Sequence, residues 1–141
     1  MSIAPGLKGS IRRQVTEDMS TDRLGIAGLS ILASPILGLL FELAALEALN
    51  QAQEPALKTV GARLEVLHES PTPVGFEVRV EATLVEVNGR RLRFEIEAQD
   101  DLEQIGTGTH ERVIIDWPRF LDSVDAKSRL LLPQVEGEED R

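Results

Sequence analysis

The 141-residue chain contains no cysteine, which excludes disulfides, a thiolate metal site and a catalytic thiol, and leaves the redox compartment unconstrained on that ground. Its two histidines are too few for a histidine-rich metal centre. Basic residues are in the minority, with 15 Lys and Arg against 24 Asp and Glu for a net charge of −9. That balance argues against nucleic acid as the principal partner and leaves Arg90, Arg91 and Arg93 as a local basic cluster. The opening residues, MSIAPGLKGSIRRQ, lack the apolar h-region of a secretory signal, so the cytoplasm is the expected location. No internal repeat occurs, and no GxSxG elbow supplies an acyl-enzyme serine.

What is present has the make-up of one globular domain, 42% hydrophobic and 28% charged, large enough for a core of its own. We expect that domain over residues 1–132, followed by an acidic, mobile tail at 133–141. Its long apolar stretch is residues 31–50, ILASPILGLLFELAALEALN. The uncharged run ends at Glu42 and a second acid follows at Glu47, too soon for a membrane span, so the stretch reads as a helix buried around most of its circumference. Ser34 ahead of Pro35 reads as an N-cap followed by a first-turn proline. Glu42 and Glu47 lie roughly 140° apart around the axis at about 100° per residue, so one exposed face does not easily hold both. Glu42, among Leu39, Leu40, Leu43 and Leu46, is the candidate to point inward, where a carboxylate needs a partner or a shifted pKa. On spacing alone, a solvent-facing Glu42 is equally open.

The rest of the chain alternates with period two. A first strand is expected within residues 11–16, then a polar loop or short helical turn over residues 17–28. In residues 59–68, Val60, Ala62, Leu64, Val66 and His68 share one face; Thr59, Gly61, Arg63, Glu65 and Leu67 share the other. His68 thus ends an apolar face, where a satisfied core histidine is the usual case. Gly61 leaves room for another backbone or a ligand. Residues 76–87 and 91–99 form the clearest hairpin, around Asn88-Gly89. A strict two-residue turn there mixes charged and apolar faces, whereas a three-residue loop over residues 88–90, or a bulge, pairs Leu84 with Phe94, Ala82 with Ile96 and Val80 with Ala98. A further strand is expected within residues 102–116, with a bend or bulge at Gly106 and Gly108, and a short helix within residues 119–132. These elements predict an α+β fold in which an antiparallel sheet curls round one central helix. The open sheet edge predicts a homodimer, with a dimer of dimers as a further option.

Several stretches, VTEDM, LASPILGLLFELAALEAL, VGARLEVLHESPTPVG, VEVNGRRLRFEIEAQD and IGTGTHERVIID, cover most of residues 15–116 and resemble the hotdog-fold thioesterases, within them the group that includes fluoroacetyl-CoA thioesterase. The resemblance implies a hotdog fold and hydrolysis of a short acyl-CoA to free acid and coenzyme A, with no cofactor beyond the coenzyme A of the substrate and no membrane partner. It implies that Ser34, Glu42 and His68 form the catalytic set and that Gly61 faces the substrate. Glu42 would then act as general base for water or as nucleophile through a transient anhydride. His68 would help orient the attack and protonate the leaving thiolate, and Ser34 would hold Glu42 or the substrate. An N–H near Gly61 or at the helix start would stabilise the oxyanion. His110 reads as structural, and Arg112 as a partner for an acid or a CoA phosphate. The chain departs from the fluoroacetyl-specific pattern before the helix: no aromatic precedes Phe41, and Gly28 stands in place of a gating phenylalanine, which points to another acyl group. The rival readings are a non-catalytic acyl-CoA or small-ligand binding protein and a dehydratase or hydratase on the same fold.

Overall fold

The computed structural model describes residues 3–131, so the tail expected at 133–141 lies outside the described residues. Strands β1 (Lys8–Gln14), β2 (Thr59–His68), β3 (Glu77–Asn88), β4 (Arg91–Gln99) and β5 (Gln104–Ile114) form one antiparallel sheet in the order β1-β3-β4-β5-β2. Helix α1 (Ser34–Asn50) packs against one face of the sheet, and α2 (Trp117–Arg129) follows β5. The polar segment ahead of α1 holds a short 3-10 turn at Glu17–Met19. No helix among the described residues is long and apolar enough to cross a membrane.

Period-two alternation carries the core. Val78, Val80, Ala82 and Leu84 of β3 and Leu92, Phe94, Ile96 and Ala98 of β4 are buried against Leu37, Leu40, Phe41, Ala44, Ala45 and Ala48 of α1. Burying a side chain the size of Phe41 or Phe94 contributes about 1.5–3 kcal/mol each. The alanines keep the helix close to the sheet, and so does Gly108, where a Cβ would stand 2.8 Å from Phe41 Cε2. Gly106 and Gly108 therefore mark close helix packing; Gly106 also borders a bulge, since Ala98 pairs with Gly106 and Gln99 with Gln104, leaving Ile105 as an extra residue, whereas Gly108 stays in register.

A two-residue turn, Gly89-Arg90, closes the β3–β4 hairpin on the pair Asn88 and Arg91. The register then shifts between Leu84 and Glu86, leaving Val85 as an extra residue. Beyond it Leu84 pairs with Phe94, Ala82 with Ile96 and Val80 with Ala98. Apolar matching across the strands thus decides the register, and a bulge rather than a longer loop supplies it.

Strand β2 also carries a bulge: Gly61 pairs with Arg112 and Arg63 with Glu111, so Ala62 is the extra residue. The bulge reverses the alternation expected from sequence and turns Gly61 toward α1, onto the side that Leu64 and Val66 occupy against Gly38. β2 is a free edge of the sheet and largely exposed, including Leu64 and Leu67. Beside it α1 leaves a stripe uncovered: Ser34, Pro35 and Leu39 are exposed, Glu42 is half-buried, and Leu46 is exposed again. The helix is thus covered around most of its circumference, as expected, with this one stripe left open in the single chain. The positions 35, 39, 42 and 46 share one helical face.

Pro118 stands in the first turn of α2, which Asp116 caps by accepting the Arg119 N–H at 3.2 Å. Trp117-Pro118 therefore opens a helix as well as ending the strand region. Lys58 Nζ lies 5.9 Å from the Trp117 ring centroid, tying the start of α2 to the approach of β2.

Candidate active site

Helix α1 begins one residue earlier than a Ser34 cap requires. Ala33 is the N-cap residue, extended at φ −78° and ψ 143°, with its N–H bonded to the Met19 carbonyl at 3.0 Å. No side chain caps the helix. Ser34, already within the first turn, turns its hydroxyl elsewhere: Ser34 Oγ stands 2.8 Å from His68 Nδ1. The capping reading of Ser34 is thereby corrected, and Ser34 and His68 form one pair.

His68 sits at the last position of β2, half-buried, opposite Gly106 of β5. Its Nε2 is buried and has no hydrogen-bond partner among the described residues. Burial lowers the pKa of the ring from its ordinary 6.5, and a contact with the Ser70 backbone partly opposes the shift. A neutral ring with its proton on Nε2 accepts the Ser34 O–H at Nδ1, which makes the pair competent to pass a proton.

Glu42 belongs to a second cluster. Eight residues after Ser34, it lies about 12 Å further along α1 at ~1.5 Å per residue. Its Oε1 is 3.6 Å from Arg112 Nη1 and 3.9 Å from His110 Nε2. Gly61 faces the same oxygen: a Cβ there would lie 3.0 Å from Glu42 Oε1, 3.4 Å from His110 Cε1 and 3.5 Å from Arg112 Nη1. A cavity of about 340 Å³ opens here, lined by Glu42, Gly61, Ala62, Arg63, Leu64 and His110. Glu42 and Gly61 thus come together, as do Ser34 and His68, while one chain does not bring Glu42 into ion-pair contact with His68. Of the two roles expected of Ser34, holding Glu42 or the substrate, the first is not met within the chain.

Behind Glu42 the polar groups are buried. His110 is 1% exposed, and its Nδ1 lies 2.8 Å from the Arg63 carbonyl. Arg112 donates from Nε to Thr59 Oγ1 at 2.8 Å and from Nη2 to the Thr59 carbonyl at 3.1 Å. Its Nη1 lies 3.2 Å from His110 Nε2. Burial lowers both pKa values. For His110 the Arg63 carbonyl opposes the shift and the Arg112 charge adds to it; for Arg112 the Glu42 charge opposes it. Sequence reasoning left these two residues outside the site. The signal was available in the spacing: Gly106, Gly108, His110 and Arg112 fall at period two along β5, so one inward face changes from glycine to a polar pair just opposite Gly61.

Among the described residues no group of three or more His, Cys, Asp or Glu could hold a metal ion. What the arrangement offers is a hydroxyl–imidazole pair at one end of β2, and at the other a carboxylate set against a guanidinium and a residue without a side chain. Groups of these types can accept and donate protons and can stabilise developing negative charge.

Comparison with known proteins places the chain as a whole. The chain is 38% identical over 89 residues to the fluoroacetyl-CoA thioesterase of Streptantibioticus cattleyicolor, a match spanning 63% of this chain and 64% of that protein. A variant of a fluoroacetyl-CoA thioesterase, solved in complex with acetyl-CoA, superposes with a TM-score of 0.81 at 30% identity, covering 89% of this chain and 98% of the other. A hot-dog-like protein from Thermanaerovibrio acidaminovorans shares the fold alone, at 21% identity with a TM-score of 0.80 over 87% of this chain and 91% of the other. A five-stranded antiparallel sheet against one long helix is the hotdog fold. The family model described as fluoroacetyl-CoA-specific thioesterase matches residues 15–118, and the chain belongs to that family of hotdog thioesterases.

Proposed function

We propose that the protein is an acyl-CoA thioesterase that hydrolyses a short acyl-CoA to the free acid and coenzyme A. The observation that carries this reading is the Ser34–His68 pair at 2.8 Å, set beside an uncovered stripe of α1 that also bears Glu42. Acyl-CoA is made and consumed inside the cell, so the cytoplasm is the compartment this reading implies.

Glu42 takes a proton from water, whose oxygen bonds to the thioester carbonyl carbon as the carbon–sulfur bond breaks. The Ser34–His68 pair passes a proton to the departing thiolate as it takes up the one that Glu42 accepted from water, so the neutral pair and the carboxylate are both restored in the same turnover. The backbone beside Gly61, or the free N–H of Ser34 at the start of α1, supports the oxyanion. The neutral ring that burial favours at His68 matches a group that must hold a proton on one nitrogen and accept on the other.

The parts are completed by a second copy of the chain. β2 is an open edge, and Leu39, Leu46, Leu64 and Leu67 beside it are exposed, Leu39 at 49% and Leu67 at 55%. Pairing β2 antiparallel with its own copy about a two-fold axis satisfies that edge and covers the stripe. The same symmetry brings the His68 end of one strand beside the Gly61 end of the other, so the Ser34–His68 pair of one subunit faces the partner's Glu42. Each homodimer then holds two sites, each with parts from both chains.

The acyl group is a small one other than fluoroacetyl. The lid over residues 21–30 has no aromatic side chain, and it exposes Leu24, Ile26 and Leu29. Gly28 there has φ +86°, a backbone conformation a phenylalanine rarely adopts. The test is thiol release from a panel of short, branched and aromatic acyl-CoAs, with fluoroacetyl-CoA included. One short acyl-CoA is expected to turn over best, and Glu42→Gln to lower kcat on it by about a hundredfold or more. Binding of the panel without hydrolysis of any member would instead make this a non-catalytic acyl-CoA binding protein. Near-normal turnover by Glu42→Gln would remove the carboxylate from the mechanism.

A further inference from the structure

Hydrolysis as described leaves His110 without a task, although it is among the most buried polar side chains of the described residues. Its two ring nitrogens have different partners. The Arg63 carbonyl, 2.8 Å from Nδ1, can only accept, so Nδ1 carries the hydrogen. In the neutral ring Nε2 is then an acceptor, and Arg112 Nη1 stands 3.2 Å from it as donor. A doubly protonated ring would turn an N–H against a guanidinium N–H inside the fold. The ring plane is also confined by Phe94, stacked at a centroid separation of 6.4 Å and 28° between planes.

Arg112 is fastened on its other side by Thr59, through Nε and Nη2. With His110 holding Nη1, all three guanidinium nitrogens are tied, and the direction in which Nη1 faces Glu42 is fixed. That nitrogen lies 3.6 Å from Glu42 Oε1, the same oxygen that stands nearest His110 and the open side of Gly61. One carboxylate oxygen thus faces the guanidinium at ion-pair distance, and Oε2 is the oxygen left to meet water.

We propose that His110 is a positioning residue for hydrolysis: Nε2 sets Arg112, and Arg112 aims the Glu42 carboxylate for proton transfer. This rests on the reading of Glu42 as the group that activates water. A purely structural His110 would be needed only for its Nδ1 bond to Arg63 beside the β2 bulge. The two roles use different nitrogens, so two substitutions separate them. An asparagine places an amide donor near the Nδ1 position and keeps the tie to Arg63, but offers Arg112 no acceptor. A glutamine reaches the Nε2 position and keeps the acceptor.

The experiment measures kcat and KM for the best acyl-CoA of the panel with His110→Asn, His110→Gln, Thr59→Val and Glu42→Gln, together with thermal unfolding of each. His110→Asn is expected to lower kcat about tenfold, part of the ~10²-fold that a 1 Å misplacement near the chemistry can cost, with KM little changed. His110→Gln is expected to retain most of kcat. Thr59→Val, which removes the hydroxyl holding Arg112 Nε, moves kcat in the same direction as His110→Asn and supplies the test should the asparagine variant not fold. Equal losses in His110→Asn and His110→Gln, or wild-type kcat in His110→Asn or in a folded Thr59→Val, would overturn the proposal while a severe loss in Glu42→Gln leaves the wider mechanism standing. Near-normal turnover by Glu42→Gln overturns both.

Discussion

A serine ahead of Pro35 has two uses, capping a helix or meeting another side chain, and its backbone decides between them. Ala33 occupies the extended cap position, so the Ser34 hydroxyl has no helix N–H to serve and pairs with His68 instead. The consequence for mutagenesis is a change of kind. Loss of a capping hydroxyl costs about 1 kcal/mol of stability, whereas loss of an exposed hydroxyl without a capping bond stays within about 0.5 kcal/mol. Ser34→Ala is therefore expected to unfold at nearly the wild-type urea midpoint while losing turnover of its acyl-CoA, in parallel with His68→Ala. A midpoint drop of capping size with full activity would restore the capping role. Single residues were only partly legible in the sequence. Glu42 among leucines announced itself as an acid in need of a partner and Arg112 as a possible partner for an acid, but the two are 70 positions apart and only the fold joins them.

Elements differ in what their sequences disclose. The β3–β4 register was legible because four apolar residues on each strand leave one matching that buries them all, and the bulge at Val85 follows from that demand. The bulge at Ala62 was not legible. Alanine is small enough to lie on either face, and one extra residue leaves no mark in composition while exchanging the faces of everything before it. Gly61 is the residue most affected, since the bulge turns it to the Glu42 carboxylate. Gly61→Ala would add a Cβ 3.0 Å from Oε1 and 3.4 Å from His110 Cε1. Of these neighbours the half-buried carboxylate yields more readily than the buried ring. We expect Gly61→Ala to lower kcat about tenfold or more through displacement of Glu42, with the sheet intact by circular dichroism. Unchanged kcat would mean that the open side of Gly61 serves no purpose in turnover. α1 shows a related limit: a run apolar on every side reads as buried around most of its circumference but does not say which stripe stays open, and the single chain supplies no cover for positions 35, 39, 42 and 46.

At the scale of the whole molecule, a sheet against a single long helix was legible because the chain has one long apolar run and several alternating ones, which leaves few ways to build a core. The proposed pairing of subunits is less legible because its signal is an absence of partners along β2 and α1 among the described residues rather than a motif. The separation of the two clusters along one chain, Ser34–His68 at one end of β2 and Glu42 with Gly61 at the other, has a genetic counterpart. If each site draws its two halves from different chains, then a chain lacking the first half and a chain lacking the second are complementary alleles. His68→Ala and Glu42→Gln, each nearly inactive alone, would regain hydrolysis when unfolded together and refolded as a mixture. Random assortment makes half of the dimers mixed, and each mixed dimer has one site built from two intact halves, so about a quarter of wild-type activity returns. A mixture no more active than its parents, with hybrid dimers verified by a tag on one chain, would place both halves of each site within one subunit.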